Sequence, residues 1–205
     1  MKLHYFNLHG RAEPIRMLLA HAKVDFEDVR IERSDWPALK PTMPNGQLPC
    51  LELEDGTKMG ESMDILNYVA TKYGYIPEDA QAAYRSNEVI EAAEECIKVI
   101  YLPHFKEGED KEKMIESNFS TALPNYLKTL ESYVSKGEFI AHDKLSAADF
   151  VIGGLYCNYF NNKHITFATD KFAKILEDFP NFKAYGERFS AEIESYLASR
   201  PNCPI

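Results

Sequence analysis

Along the first 75 residues the apolar positions change period several times. "KLHYFNL" at 2–8 is aromatic-rich and reads as a strand. Ile15, Leu18, Leu19 and Ala22 recur at i, i+3, i+4, i+7, which predicts a helix over 11–23. "VDFEDVRI" at 24–31 alternates Val24, Phe26 and then Val29, Ile31, a strand with a slip or bulge in its middle. A short polar helix carrying Trp36 and Lys40 follows. "LPCLELEDGTKMG" reads as two short strands around Asp55-Gly56, a strong turn dipeptide. Ile65, Leu66, Val69, Ala70 and Tyr73 then mark one helix face. The order β-α-β-α-β-β-α predicts an α/β unit over residues 1–75. Its first two strands should be parallel, joined by a right-handed crossover, with the hairpin as an antiparallel edge.

"YGYIPEDAQ" at 73–81 reads as a linker: Gly74 ends one helix and Pro77 precedes another. Beyond it only helical spacing recurs, so residues 81–205 are predicted to be all-α. Val89, Ala93, Cys96, Ile97, Ile100 and Tyr101 mark a helix over 81–102. Phe119 to Val134 mark a second over 114–135, with a kink expected at Pro124. Phe182, Tyr185, Phe189, Ile193, Tyr196 and Leu197 mark a third over 182–197. In "LSAADF" Ser146 is a helix N-cap, with Asp149 three residues on completing a capping box. The class change at a Pro/Gly linker divides the chain between residues 74 and 81.

Composition narrows the chemistry. The 205 residues are 45 % hydrophobic, enough for a substantial core. With 23 basic against 32 acidic side chains the formal charge is −9, which argues against nucleic acid or anionic membrane as partners. No signal-peptide pattern opens the chain, and no apolar run approaches the ~18–20 residues of a membrane span. Cys50, Cys96, Cys157 and Cys203 are scattered without a C-x-x-C, which argues against a metal site and a dithiol motif. Free thiols point to a cytoplasmic protein.

The candidate chemistry gathers in the first unit. Tyr5 ends a strand just before a Gly-Arg turn and a helix. Pro49 opens a strand that should pair centrally. A cis Leu48-Pro49 bond there would leave the Leu48 N–H and carbonyl free for an extended ligand. "GES" at 60–62 begins a helix, whose N-terminal N–H groups and dipole favour a carboxylate. Trp36, the single tryptophan, and Lys40 lie between strand and loop.

Together "YFNLHGRAEPIR", "DWPALKPTMPNGQLP", "GES" and "SAADF" resemble the cytosolic glutathione transferases, most of all their sigma group, over nearly the whole chain. The resemblance implies a thioredoxin-like glutathione-binding domain at 1–75 and an all-helical domain at 81–205 that helps form a hydrophobic substrate site. It implies that Tyr5 donates to the glutathione sulfur, with Arg11 supporting it. Trp36 and Lys40 would meet the glycyl end. Gly46, Gln47, Leu48 and Pro49 would pair with the cysteinyl backbone, and Glu61 and Ser62 would hold the γ-glutamyl end. Glu94 or Glu95 of a partner subunit in a homodimer would reach its amino group. Three positions depart from the sigma pattern. Glu61 stands where Gln is usual, the helix acid is Glu instead of Asp, and "TMPNGQLP" has no large aromatic to key into a partner.

A hydrophobic electrophile would then lie between Phe6, Leu8 and Gly10 on one side and Ile97, Tyr101 and His104 on the other, with the tail "SRPNCPI" placed to close the cleft. The function implied is conjugation of glutathione to such electrophiles. Isomerisation or reduction of a lipid, such as a prostaglandin endoperoxide or hydroperoxide, is the alternative on the same thiolate. A non-catalytic ligand carrier is the alternative without chemistry.

Overall fold

A computed structural model describes residues 1–141 and 144–203. Four strands form one mixed sheet in the order β2-β1-β3-β4, with β1 at Lys2–Phe6, β2 at Glu27–Ile31, β3 at Cys50–Glu52 and β4 at Lys58–Met59. β1 and β2 are parallel, with Tyr5 opposite Arg30, and β3 pairs antiparallel with both β1 and β4. The predicted slip in the second strand is instead a loop. Lys23 takes a positive φ and Val24–Phe26 lead into a strand that begins only at Glu27.

α1 (Glu13–His21) and α3 (Ser62–Tyr73) pack together, α1 making the crossover between β1 and β2. Alternation along β1 turns Leu3 and Tyr5 into the core. The short α2 (Trp36–Leu39) sits over a satellite cluster of Ile31, Met43 and Cys50. That cluster also holds Leu48, next to the cis Leu48-Pro49 bond.

Gly74 ends α3 in the left-handed conformation. The linker is then fastened: the Tyr75 hydroxyl meets His21 Nδ1 at 2.6 Å, its ring packs on Phe150, and its carbonyl accepts from the Ala147 N–H. The remaining described chain is helical, with α4 (Ala80–Tyr101), α5 (Gly108–Ser117), α6 (Leu123–Val134), α7 (Ala147–Leu155), α8 (Thr169–Leu176), α9 (Pro180–Glu192) and α10 (Glu194–Ser199).

Every residue of α7 is buried, and it packs against α1, α4 and α9 as the shared centre of both units. Gly153 and Gly154 permit that packing. A Cβ at Gly153 would lie 2.0 Å from the Phe189 ring, and one at Gly154 would lie 3.2 Å from Pro14. The capping box forms as read, the Asp149 carboxylate accepting from both the N–H and the hydroxyl of Ser146.

The helix expected over 114–135 runs without a break from α5 into α6 through one wide π-turn at Asn118–Ala122, just before Pro124, the place of the expected kink. The proline lacks a donor and crowds the preceding turn, and the wider turn relieves both. The helix expected over 182–197 divides at Ile193 (φ −117°, ψ 22°), which lets α10 turn toward α1.

Candidate functional site

Tyr5 lies near the C-terminal end of β1, an interior strand of the sheet, and is 7 % exposed. Its Oη accepts a hydrogen bond from the Arg11 backbone N–H at 3.1 Å. The hydroxyl proton therefore remains to be donated elsewhere. Burial raises the Tyr5 pKa. The Arg11 N–H and the charges of Arg11 and Arg16 oppose that without reversing it, so the phenol stays protonated at neutral pH.

Gly10 makes this contact possible in two ways. It sits at φ +45°, and a Cβ there would stand 2.7 Å from the Tyr5 hydroxyl.

The Arg11 guanidinium does not touch the tyrosine. It reaches across the junction between the two units. Nε donates to Ser62 Oγ at 3.0 Å and Nη2 donates to Glu94 on α4 at 2.5 Å. Burial works against its charge, but Glu94 outweighs that and holds its pKa above the ordinary arginine value. Ser62, 5 % exposed, is the first residue of α3. Glu61 before it takes φ +60°, ψ 111°, a strained conformation for a residue with a side chain.

Of the two helix acids, Glu94 thus turns inward to Arg11. Glu95 pairs with Lys98 at 2.5 Å and its side chain is 41 % exposed.

A cleft of about 680 Å³ lies beside these groups, bordered by Glu94 but not by Glu61, Ser62 or Glu95. Tyr5, Arg11 and Trp36 line it. So do Phe6, Leu8, Gly10, Ile97, Tyr101 and His104, the residues expected at a hydrophobic substrate. Lys40, Gly46, Gln47, Leu48 and Pro49 lie in the segment between α2 and β3 and do not border this cavity. They keep one another's company: the Lys40 stem lies about 3.3 Å from where a Gly46 Cβ would be, and Gly46 has φ +60°. Among the described residues no backbone hydrogen bond uses the Leu48 N–H or carbonyl.

A mixed four-stranded sheet abutting a helical unit has known counterparts. The family model described as "Glutathione S-transferase, N-terminal domain" matches residues 1–71, and "Glutathione S-transferase, C-terminal domain" matches residues 92–200. The chain belongs to the glutathione S-transferase family. It is 30 % identical to a glutathione S-transferase of Anopheles gambiae, over 98 % of this chain and 96 % of the other. It is 28 % identical to the hematopoietic prostaglandin D synthase of Gallus gallus, over 100 % and 98 %. The solved sigma class transferase of Fasciola hepatica superposes with a TM-score of 0.86 at 26 % identity, over 100 % and 98 %. Glutathione is the substrate that gives this family of enzymes its name.

On this transferase scaffold the cleft has walls that sequence reasoning missed. Arg33, Met63, Phe105 and Tyr159 also line it. Phe105, 77 % exposed, is a large apolar ring at the surface, and its place after Pro103 was a usable signal. Tyr159 gave none, because it is brought in by a second π-turn, Tyr156–Phe160, at the end of α7. The described part of the tail does not close the cleft. Arg200 bonds Glu13 and Cys203 lies against the Asn7 carbonyl, none of Arg200 to Cys203 lines the cavity, and Pro204 and Ile205 lie outside the described residues. Among the described residues there is no cluster of metal-ligating side chains and no helix long and apolar enough to cross a membrane.

Proposed function

We propose that this protein conjugates glutathione to hydrophobic electrophiles in the cleft beside Tyr5, as a cytoplasmic, detoxifying homodimer. Its glutathione-binding domain spans residues 1–75 and its substrate-enclosing helical domain 81–205. The observation that carries the reading is the Tyr5 hydroxyl, a protonated donor at the cleft wall whose oxygen already accepts from the Arg11 N–H. A thiolate placed there receives the phenol proton as a charge-assisted hydrogen bond. Trp36 and Lys40 take the glycyl carboxylate, and Gly46 to Pro49 offer backbone to the cysteinyl unit. Glu61 and Ser62 hold the γ-glutamyl end.

Magnitudes limit what Tyr5 can do alone. A thiol of pKa ~8.5 is about 3 % thiolate at pH 7. Lowering its pKa by ~2 units raises the thiolate roughly 25-fold, while the weaker intrinsic nucleophilicity returns about a factor of 10. A net gain of a few-fold leaves most of the acceleration to holding the electrophile against the sulfur, which is the part the apolar cleft walls would play. Gly10→Ala tests this arrangement directly. It should destabilise the protein by about 1–2 kcal/mol through its positive φ, and raise the bound thiol's pKa by pushing the phenol aside. Thermal unfolding and thiolate absorbance read the two effects.

The partner subunit's contribution falls to Glu95, since Glu94 is engaged by Arg11 within its own chain. Glu95→Ala should weaken glutathione binding by ~1–2 kcal/mol if it holds the ammonium. Unchanged affinity, or sedimentation as a monomer at micromolar concentration, would remove the cross-subunit assignment.

A second reading is supported by the likeness to a protein named prostaglandin D synthase: the same thiolate could isomerise or reduce a lipid peroxide. Glutathione binding followed by turnover with an aryl halide, an organic hydroperoxide and a prostaglandin endoperoxide separates these readings. Binding without any turnover would favour a ligand carrier.

A further inference from the structure

The loop 7–10 forms one wall of the cleft and packs Gly10 onto the Tyr5 hydroxyl. The carbonyls of Asn7, Leu8 and His9 in this loop each have a side-chain partner. Arg16 Nη1 donates to the carbonyls of Leu8 at 3.0 Å and His9 at 3.1 Å, and the Cys203 thiol lies 3.8 Å from the carbonyl of Asn7. Arg16, fully buried, is in turn set by Glu13, whose carboxylate has no exposed surface. The two oxygens of Glu13 face different ways. Oε2 meets Arg16 Nη1 at 3.2 Å and His9 Nδ1 at 3.4 Å, on the loop side. Oε1 accepts from the Tyr196 hydroxyl at 3.0 Å and from Arg200 Nη1 at 2.8 Å, on the side of the C-terminal segment. Arg200 is itself fixed by the Asn158 side chain and the Cys157 carbonyl at the end of α7, and Asn162 Nδ2 holds the Cys203 carbonyl.

We propose that the segment Tyr196–Cys203 is a strap that fixes the 7–10 loop from behind, with Arg200 as a positioning residue for the electrophile side of the site. Arg200 does not itself line the cleft, although it donates to the side chain of one lining residue, Asn158. It acts through Glu13 and Arg16, so the wall formed by Leu8 and Gly10 depends on a side chain about 190 positions away in sequence. Burial alone would push the Glu13 carboxyl up, but His9, Arg16 and Arg200 more than reverse that and hold it well below the usual carboxylate range. The carboxylate is therefore charged at every working pH. Without Arg200 it keeps one guanidinium where it had two, and it is drawn toward the loop side. Arg16 follows, and the Leu8 and His9 carbonyls lose their fixed donor. The segment that carries glutathione's γ-glutamyl and cysteinyl contacts, residues 46–62, is not part of this chain of contacts. The effect belongs to the electrophile and the loop.

The catalytic half of this inference rests on the transferase reading, so the test has one readout that does not need activity. Arg200→Gln, Arg200→Lys and Tyr196→Phe are made in the full chain. Amide hydrogen exchange is followed at Leu8, whose N–H bonds the Phe6 carbonyl, at Arg11, whose N–H bonds Tyr5, and at Ile65 on α3 as an internal reference. The strap predicts exchange at Leu8 and Arg11 at least about 10-fold faster in Arg200→Gln with Ile65 unchanged, and largely restored in Arg200→Lys. It also predicts a KM for the aryl halide raised about 5- to 10-fold, with the KM for glutathione held within about 2-fold. Tyr196→Phe, which retains the ring and the arginine, should show the same pattern more weakly. Equal acceleration at Leu8, Arg11 and Ile65 would mark a general loss of stability and overturn the proposal, as would an unaltered loop. A parent protein that turns over no electrophile would sink the transferase reading and leave the exchange data to decide the strap.

Discussion

Tyr5→Phe is expected to lower turnover with an aryl halide near pH 7 by about 10- to 100-fold, the range for losing one donor to a developing or resident anion. The substitution keeps the ring, which packs edge-on against Phe6 at 5.9 Å, so the fold should barely respond. Glutathione affinity should hold within a few-fold, because the other contacts proposed for the tripeptide lie elsewhere. The bound thiol should titrate ~1–2 units higher, since its thiolate loses a charge-assisted donor. The sign of the pH dependence follows. Below the mutant thiol's pKa the deficit is full, and it shrinks as pH rises through that pKa and thiolate forms unaided. Tyr5 itself stays protonated across this range, because burial holds its pKa above the ordinary tyrosine value. A pH–rate profile of both proteins with thiolate absorbance in parallel reads both effects. An unshifted thiol with undiminished turnover would return Tyr5 to the role of a core aromatic.

The largest effect on stability is expected from Asp149→Ala, at about 3–5 kcal/mol. Asp149 has no exposed surface and accepts from the N–H groups of Ile140 at 2.9 Å and Ser146 at 2.7 Å, from the Ser146 hydroxyl at 2.7 Å, and from the Tyr185 hydroxyl. Alanine leaves all four donors in the interior without an acceptor, each at a cost of about 1–3 kcal/mol, and the sum is less than additive because the site can relax. Against a typical total of about 5–15 kcal/mol this is a large fraction. Asp149→Asn keeps one oxygen and the volume, and should cost less than half as much. Urea unfolding of the three proteins at one fixed concentration measures the difference. A loss below about 1 kcal/mol for alanine would mean that the capping box is locally helical in effect only.

Much of the site was legible because its signals are local. A tyrosine closing an alternating strand, Gly10 in a tight turn and Ser62 opening α3 are each set by neighbours within a few positions. So is the proline just before β3. The cleft-lining residues Phe6, Leu8, Ile97, Tyr101 and His104 follow from placing one strand end against one helix face. Local signals misled where a short segment had two competing solutions. Val24 and Phe26 carry strand spacing, but Lys23 turns the chain before pairing can start. Ile193 belongs to an unbroken apolar stripe, yet the chain bends there so that Tyr196 and Arg200 reach Glu13.

By itself the sequence determined the two classes of structure and the place where one gives way to the other, because helix and strand periods and the Pro/Gly signals are properties of short windows. It also carried the motifs whose family resemblance names the residues proposed for thiol chemistry. The tertiary structure decided what those residues do to one another. Arg11 supports Tyr5 through its backbone N–H while its guanidinium joins Ser62 to Glu94, a choice that needs α4 to arrive beside the sheet. Nothing in the sequence pairs Glu13 with Arg200, and only the fold brings them together. The physical reason is that a charge tolerates burial only beside its complement. Where that complement comes from is fixed by the packing of whole helices, which no window of the sequence contains.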